Sequence, residues 1–541
     1  MAASATASGQ GYFSSEYPVA GGEDSRIYHI TKTPNNKVFT TGVVSGQTPP
    51  ATSTFPSYKD WRILSTNLDG DVIFSFHLQT NKDDRAFEAV ARTLTDMMVV
   101  GHTGQGFVHP DRVLNGLPLT QDNASACLIR VNAAGGVVVN RKYEMGGLDD
   151  HAYSIVKESI SSYLVMGRSY RQALGTNVIT FMNVDDLGNV LNASMLRDNA
   201  SAYLNPRKMI RTSDGGFLIA AIREVDPVIT TFAPDPLVST LIGDEVVMIK
   251  LDAARNLVFA TAIEPQNAKG IGVKDLVEDG NTGKVYFVGT SAGGDYIMAI
   301  DNVGAVIQAA RFSVGPNDMQ WEPKCIAKIS NGFVVSGSVD GVGIPRVVVS
   351  PALGLIEAKR HQFGDNVHSM AMFTGSVNYL AGTDGDATIA KYMFANPTQL
   401  CALQTETVTM GDFHFSTRAL PITKEAIEVT LQVPDTIVDH ADVRVDFCLP
   451  PVPKMAGLTE TDANTVISVS PNPAQDQLQV FVPGEAPAAY TLHDLQGRLL
   501  ASGTLRPGSQ TLPVADFARG VYVLRVTNDQ LNSTHRISLQ H

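Results

Sequence analysis

One pattern recurs seven times along this chain: a strand, a turn, and an apolar strand that ends in a small residue. It reads YHITKTPNNKVFTTG up to Gly42, EAVARTLTDMMVVG up to Gly101 and YSIVKESISSYLVMG up to Gly167, and it returns at Ala221, Gly289, Gly337 and Gly382. A second strand, turn and strand follow each of the first six copies, as in LSTNLDGDVIFS and CLIRVNAAGGVVVN, and the seventh, TIAKYMFANPTQL, is degenerate. Each copy thus offers four strands in roughly 45 to 68 residues, the size of a propeller blade. Open arrays of such sheets leave exposed end strands, whereas closure into a ring removes them. The repeats predict an all-β fold with a seven-bladed β-propeller over residues 17–404, closed between the N-terminal segment (1–16) and the degenerate seventh copy. An open β-solenoid is the alternative, disfavoured because its coils are shorter and more regular.

Composition fits many short strands joined by tight turns. Of 541 residues 46 are Gly and 28 Pro, hydrophobic residues make up 44% and charged ones 18%, so the chain is expected to be globular and to divide into several domains. A net charge of -13, with no basic stripe, argues against a nucleic-acid partner. No apolar run approaches the roughly 20 residues that span a bilayer, so the chain is not expected to be membrane-spanning. The N-terminal text MAASATASGQG lacks the features of a signal peptide.

Residues 405–455 read as alternating strands, too few for a full sandwich, and predict a small β-domain or a clamp against the last blade. Pro450-Pro451-Val452-Pro453 and the polar text after it predict a linker, placed at 456–465. The remainder, 466–541, has its own turns and apolar strands. Pro471-Asn472-Pro473 stands at its start, Asp494 to Gly497-Arg498 at a hairpin, and Leu512-Pro513, Phe517, Gly520 and Tyr522 near its end. This text resembles the type A C-terminal sorting domain of cargo of the type IX secretion system of Bacteroidetes. The resemblance implies an immunoglobulin-like β-sandwich read by the type IX translocon, export across the outer membrane, and a signal peptide already removed.

An address is not an activity, and the catalytic motifs tell little. There is no G-x-S-x-G elbow, H-E-x-x-H helix, P-loop or dinucleotide fingerprint, so no catalytic residue, metal ligand or cofactor is assigned. Asp84, Asp150 and Asp365 each lie seventeen positions before a strand-ending Gly. They predict turn-fixing acceptors at the crossovers between blades, with a carboxylate ring for a cation as the alternative. Asp69-Gly70-Asp71 and Asp384-Gly385-Asp386 are read as turns rather than calcium loops, since no distal Glu follows. Cys127 and Cys325 lie in apolar strand text and predict buried thiols, while Cys401 and Cys448 flank one segment and could form a disulfide. Thr436, in Asp435-Thr436-Ile437, matches a short O-glycosylation signal of Bacteroidetes proteins.

Connections 44–60, 102–124 and 223–244 are long, whereas their counterparts in the later repeats are short. Long insertions on a rigid scaffold are where binding tends to reside. Phe55, Tyr58, Phe107, His109, Asp111, Phe232 and Asp235 are therefore the candidate interaction residues, facing a surface protein or glycan. The leading expectation is an exported cell-surface or secreted binding protein without enzymatic activity. A secreted propeller hydrolase or lyase, or a structural component of an extracellular assembly, are the alternatives.

Overall fold

The computed structural model describes residues 13–18, 25–45, 59–78, 84–104, 113–114, 117–118, 124–225, 244–266, 270–292, 294–314, 321–339, 344–361, 366–374, 377–384, 386–393, 403–405, 407–432, 437–439, 445–448, 468–470, 474–482, 486–494, 498–527 and 532–539. Every regular element among them is a β-strand. The chain divides into two compact units, Met1–Pro450 and Pro451–His541.

The first unit holds seven five-stranded antiparallel sheets. Sheets one to six are each built on four strands from one repeat; in sheet one these are Ser25–Lys32, Val38–Ser45, Lys59–Thr66 and Val72–Leu78. The seventh repeat supplies only three, Asn366–Thr374, Val377–Asp384 and Asp386–Met393, and Phe13–Tyr17 from the other end of the chain takes the fourth place beside Asp386–Met393. The degenerate repeat is thus completed by the N-terminal segment, which spares both chain ends an open edge.

The first strands of successive sheets touch in a closed circle: Ser25–Lys32, Arg85–Ala91, His151–Lys157, Tyr203–Arg211, Ile271–Asp279, Trp321–Ile329, Asn366–Thr374, and back to Ser25–Lys32. Between neighbouring sheets the facing side chains form separate apolar layers. Trp61, Phe76 and Val99 join sheets one and two; Met166, Phe181 and Phe217 join three and four; Tyr17, Ile30 and Tyr379 join seven and one. The middle strands therefore bury both faces, which explains near-continuous apolar runs such as MMVV before Gly101.

Residues 403–448 depart from the expected small β-domain or clamp on the last blade. Their strands spread over every sheet, one each, in reverse order around the circle. Leu403–Thr405 pairs with sheet six, Val408–Asp412 with five, Phe415–Ala419 with four and Ile422–Ala426 with three. Thr430–Gln432 then pairs with sheet two, Ile437–Asp439 with one, and Val445–Cys448 with seven through Phe13–Tyr17. The reason is the edge rule: each sheet's last strand presents unpaired backbone groups, and one continuous strap covers them all. At or near the ends of its strands the strap drops apolar side chains into the seams. Val408 enters the layer between sheets five and six, Phe413 that between four and five, and Leu420 and Ile422 that between three and four. The Phe413 ring rests 5.0 Å from that of Tyr296.

The second unit contains a three-stranded sheet and a four-stranded sheet. They share one core, in which Leu478, Val480 and Leu512 of the first meet Leu492, Leu524, Val526 and Ile537 of the second.

Candidate functional site

Every inner strand of the ring carries a β-bulge at the same place. Strand pairing skips from Ile27 to His29, Ala86 to Glu88, Ala152 to Ser154 and Pro206 to Lys208. It skips likewise from Val273 to Asp275, Pro323 to Cys325 and Val367 to Ser369. The residues passed over are Tyr28, Phe87, Tyr153, Arg207, Lys274, Lys324 and His368. Facing each bulge is the small residue that closes the recurring sequence pattern, and it lies inside the second strand, as Gly42 does in Val38–Ser45 and Gly101 in Met97–Thr103. A Cβ added at Gly42, Gly101, Gly167 or Gly289 would lie 1.9 Å from the carbonyl oxygen of Arg26, Arg85, His151 or Gly272. The repeat ends in Gly because the bulge folds a backbone carbonyl across it.

Five of the seven residues that follow the bulges tie their sheet to the next. His29 Nδ1 accepts the Ala89 N–H at 3.3 Å, Glu88 Oε2 the Ile155 N–H at 3.1 Å, and Ser154 Oγ the Met209 N–H at 3.3 Å. Asp275 Oδ2 accepts the Ile326 N–H at 3.0 Å, and Ser369 Oγ closes the circle on the Ile30 N–H at 3.2 Å. Burial opposes ionisation of Glu88, but the Lys208 ammonium at 2.5 Å, with His29 and Ser154, holds its carboxyl below the ordinary range. Burial pushes the Asp275 carboxyl up and the His29 imidazole down to about 4. Glu88 and Asp275 are thus committed to joints.

Inside the ring lies a chamber of about 430 Å³, lined by all seven bulge residues. In circular order His368, Tyr28, Phe87 and Tyr153, from sheets seven, one, two and three, form an arc of rings, and Arg207, Lys274 and Lys324, from sheets four, five and six, form an arc of cations. The aromatic arc is continuous, with ring centroids 6.1 Å apart from His368 to Tyr28, 6.0 Å to Phe87 and 4.9 Å to Tyr153. In the cationic arc two ammonium groups converge on one carboxylate, Lys274 Nζ lying 2.6 Å and Lys324 Nζ 2.5 Å from Glu322. Burial, then the Lys324 charge, push the Lys274 ammonium down to about 8. Behind the aromatic arc, His151 Nδ1 lies 2.9 Å from His102 Nδ1 and His151 Nε2 lies 2.5 Å from Asp149, which also accepts from Arg168 at 2.5 Å.

The chamber was missed in the sequence because its residue types differ from sheet to sheet. Its signal is positional. Counting back fourteen from Gly42, Gly101, Gly167, Ala221 and Gly382 reaches Tyr28, Phe87, Tyr153, Arg207 and His368, and turn length shifts the count by one for Lys274 and Lys324.

The candidate interaction residues Phe55, Tyr58, Phe107, His109, Asp111, Phe232 and Asp235 lie outside the described residues, as do Thr436, Cys401 and Asp365. Cys448 is described only as a strand residue facing Ser14. Cys127 and Cys325 are buried thiols, donating to the Ser125 and Ser336 carbonyls. Two of the repeated acids fix crossovers: Asp84 accepts the Gly104 N–H at 3.2 Å and Asp150 the Met145 N–H at 2.6 Å. Asp69-Gly70-Asp71 is a turn whose two Asp N–H groups donate to Asn67 at 2.8 and 2.9 Å, with Gly70 at φ 91°. Among the described residues no cluster of His, Cys, Asp and Glu could hold a metal ion, and no helix is long and apolar enough to cross a membrane.

In the second unit Pro471, Asn472, Pro473 and Gly497 lie outside the described residues. Arg498 closes its hairpin through Asp494, its N–H at 2.9 Å and its Nε at 3.0 Å from the carboxylate. Gly520 begins the strand Gly520–Thr527, and the Tyr522 hydroxyl donates to the Ala518 carbonyl at 2.5 Å.

Residues 468–540 match the family model of the secretion system C-terminal sorting domain. The protein is therefore cargo recognised by the type IX secretion system, secreted across the outer membrane to the cell surface or extracellular space. No protein of curated function matches the chain. Among solved structures, it resembles a protein of unknown function from Dyadobacter fermentans at 9% identity and TM-score 0.37, covering 70% of this chain and 98% of that one. An acylaminoacyl peptidase of Pyrococcus horikoshii matches at 10% identity and TM-score 0.36, covering 69% of this chain and 53% of the peptidase. A sialidase of Trypanosoma rangeli matches at 9% identity and TM-score 0.30, covering 95% of this chain and 83% of the sialidase. At these scores the likenesses say nothing of what this chain binds or does.

Proposed function

We propose that this exported protein is a binding protein, in which the seven sheets act as a seven-bladed propeller and the chamber on its axis is the ligand site. The observation that carries the reading is the division of the seven bulge residues into one aromatic and one cationic arc around a single cavity. A merely structural plug would gain nothing from gathering Arg207, Lys274 and Lys324 in one buried arc, since desolvating cations costs free energy. The cavity's volume lies in the range of small-molecule sites, roughly 300–1,000 Å³. The bulges of sheets one, two and four lie near the strand ends from which the long connections leave, such as Ser45 and Lys59 of sheet one. Phe55, Tyr58, Phe107, His109, Asp111, Phe232 and Asp235, on those connections, are proposed to meet the larger body of a surface protein or glycan whose end enters the chamber.

A thermal-shift panel of small organic anions, cations and neutral sugars tests the site. Ligands that bind only the folded state raise the melting temperature. At least one compound should stabilise the wild-type protein and leave the Phe87→Leu/Lys324→Gln double variant unmoved. A panel that shifts neither protein, or both alike, overturns the reading.

A further inference from the structure

The hairpins that join third and fourth strands carry a second set of bulges, and each projects an aliphatic side chain into water. Pairing passes over Ile73 in sheet one, Val138 in two, Leu191 in three, Val258 in four, Ile307 in five and Ile356 in six. Each is the second residue of its fourth strand. Sheet seven has no such hairpin, because Phe13–Tyr17 supplies its fourth strand. All six are exposed, from 38% at Ile73 to 57% at Leu191. A bulge re-aims the side chain of its extra residue, and a position turned to water is free to be polar. Here it is Ile, Val or Leu every time. We infer that these residues belong to a docking surface on which two copies of the chain meet, hairpin end to hairpin end.

Antiparallel pairing sets all six at one end of the ring. The turns after first and third strands lie at that end, whereas the connections after second strands, the long ones among them, leave from the other. Of the fifteen exposed large apolar residues described in the first unit, twelve stand at the hairpin end, with Leu94, Ile160, Leu187 and Val303 at the tips of its turns. The strap leaves the six bare: it pairs with residues 261–265 in sheet four and 310–314 in sheet five, past Val258 and Ile307. The twelve expose on the order of 1,000 Å², against about 800 Å² that each partner buries in a stable interface. Single apolar side chains are ordinary on a surface, but a face that gathers them marks an interaction site.

Three properties select a second copy as the occupant. The face is held rigid, so ordering it on association costs little. Arg92 Nη2 lies 2.6 Å from Asp186, Arg130 Nη1 donates to the Asp186 carbonyl at 3.0 Å and Arg141 Nε to that of Leu187 at 3.1 Å, and these bonds fix the turn beneath the exposed Leu187. Its charges pair with one another, as Arg255 does with Glu158 at 3.1 Å and Lys250 with Asp214 at 2.8 Å, which favours an apolar partner over a charged one and lessens repulsion between like faces. Finally, equivalent positions on successive sheets of a closed ring fall on one circle. A twofold axis lying in the face and crossing the ring axis lays that circle on its own copy, an isologous contact that stops at two. The long connections leave from the opposite end and stay free in such a dimer.

Sedimentation velocity of the full chain over a roughly hundredfold range of concentration should show a monomer–dimer equilibrium. Leu191→Glu/Val258→Glu sets carboxylates on the circle and should weaken the dimer about tenfold or more. Leu187→Glu/Val303→Glu, which alters turn tips and leaves every strand untouched, should do the same. Leu174→Glu/Val225→Glu, at the connection end, should leave association unchanged. Thermal unfolding midpoints equal to that of the wild type confirm that the variants fold. A monomer at every concentration, a higher oligomer, or a dimer that neither hairpin-end variant weakens more than the connection-end variant would overturn the inference.

Discussion

Ser369 Oγ accepts the backbone N–H of Ile30 at 3.2 Å across 339 residues of sequence, and so joins the last sheet to the first. Each single bond of this kind contributes about 0.5–1.5 kcal/mol, and the amide left without an acceptor costs about 1–3 kcal/mol. Ser369→Ala should lower stability by about 1–2 kcal/mol in calorimetric or denaturant unfolding. An unchanged midpoint would mean that this joint does not hold the circle closed.

The glycine that faces six of the seven bulges should tolerate a side chain badly where the opposing backbone is fixed, and sheet four alone holds a larger residue there, Ala221. Gly101→Ala places a Cβ 1.9 Å from the Arg85 carbonyl oxygen and 2.7 Å from the Trp61 ring, and both are buried and fixed. It is expected to cost more than about 3 kcal/mol, as for overpacking against backbone. Gly411→Ala, with nothing within 4 Å, should stay within about 0.5 kcal/mol. Equal melting temperatures for the two variants would refute the bulge as the reason for the repeat's Gly.

Much of the first unit was legible in the sequence, and the reasons are physical. The repeats showed themselves because that Gly is demanded by backbone contact, which admits no substitute larger than the Ala at 221. The degenerate seventh copy announced where the N-terminal segment belongs. The strap was legible as strands but not as an arrangement. Its strands hold only three to five residues, and Phe415–Ala419 is mostly exposed, since such a strand pairs by backbone along a sheet edge and needs no apolar alternation. Its anchors, Phe413, Leu420 and Ile422, fall at or near strand ends and look like ordinary turn residues until the seams between sheets are seen. The chamber stayed hidden because Tyr, Phe, Arg, Lys and His at one structural position share no property a sequence pattern registers.

Acid should loosen the ring before it protonates ordinary carboxylates. His29 stays neutral down to about pH 4 in the folded protein, while the unfolded chain titrates near its ordinary value of 6.5. Between those values the unfolded state binds more protons, so stability falls with falling pH by up to about 1.4 kcal/mol per unit. Buried His102 and His151, both lowered, add the same sign. Above pH 6.5 the contribution is complete. His29→Gln, which keeps an acceptor for the Ala89 N–H, should flatten the slope measured by urea unfolding from pH 7 to 5, and an unaltered slope would assign it elsewhere.

Phe413→Ala tests whether the strap is held by its anchors. Phe413 is buried in the layer between sheets four and five, and truncating a buried Phe costs about 3–5 kcal/mol. Hydrogen exchange should quicken over 408–419 and in the outer strands Leu257–Pro265 and Val306–Val314 that these residues cover. Exchange confined to 413 and its neighbours would show that backbone pairing alone secures the strap.

Whether the axial chamber is a ligand site is decided by a crystal structure of the intact protein soaked in the compound of the thermal-shift panel that stabilises it most. The compound is expected in the chamber, in contact with its lining at one or more of Phe87, Tyr153, Lys274 and Lys324. An empty chamber, in crystals where the same compound is ordered at some other surface, would contradict the site.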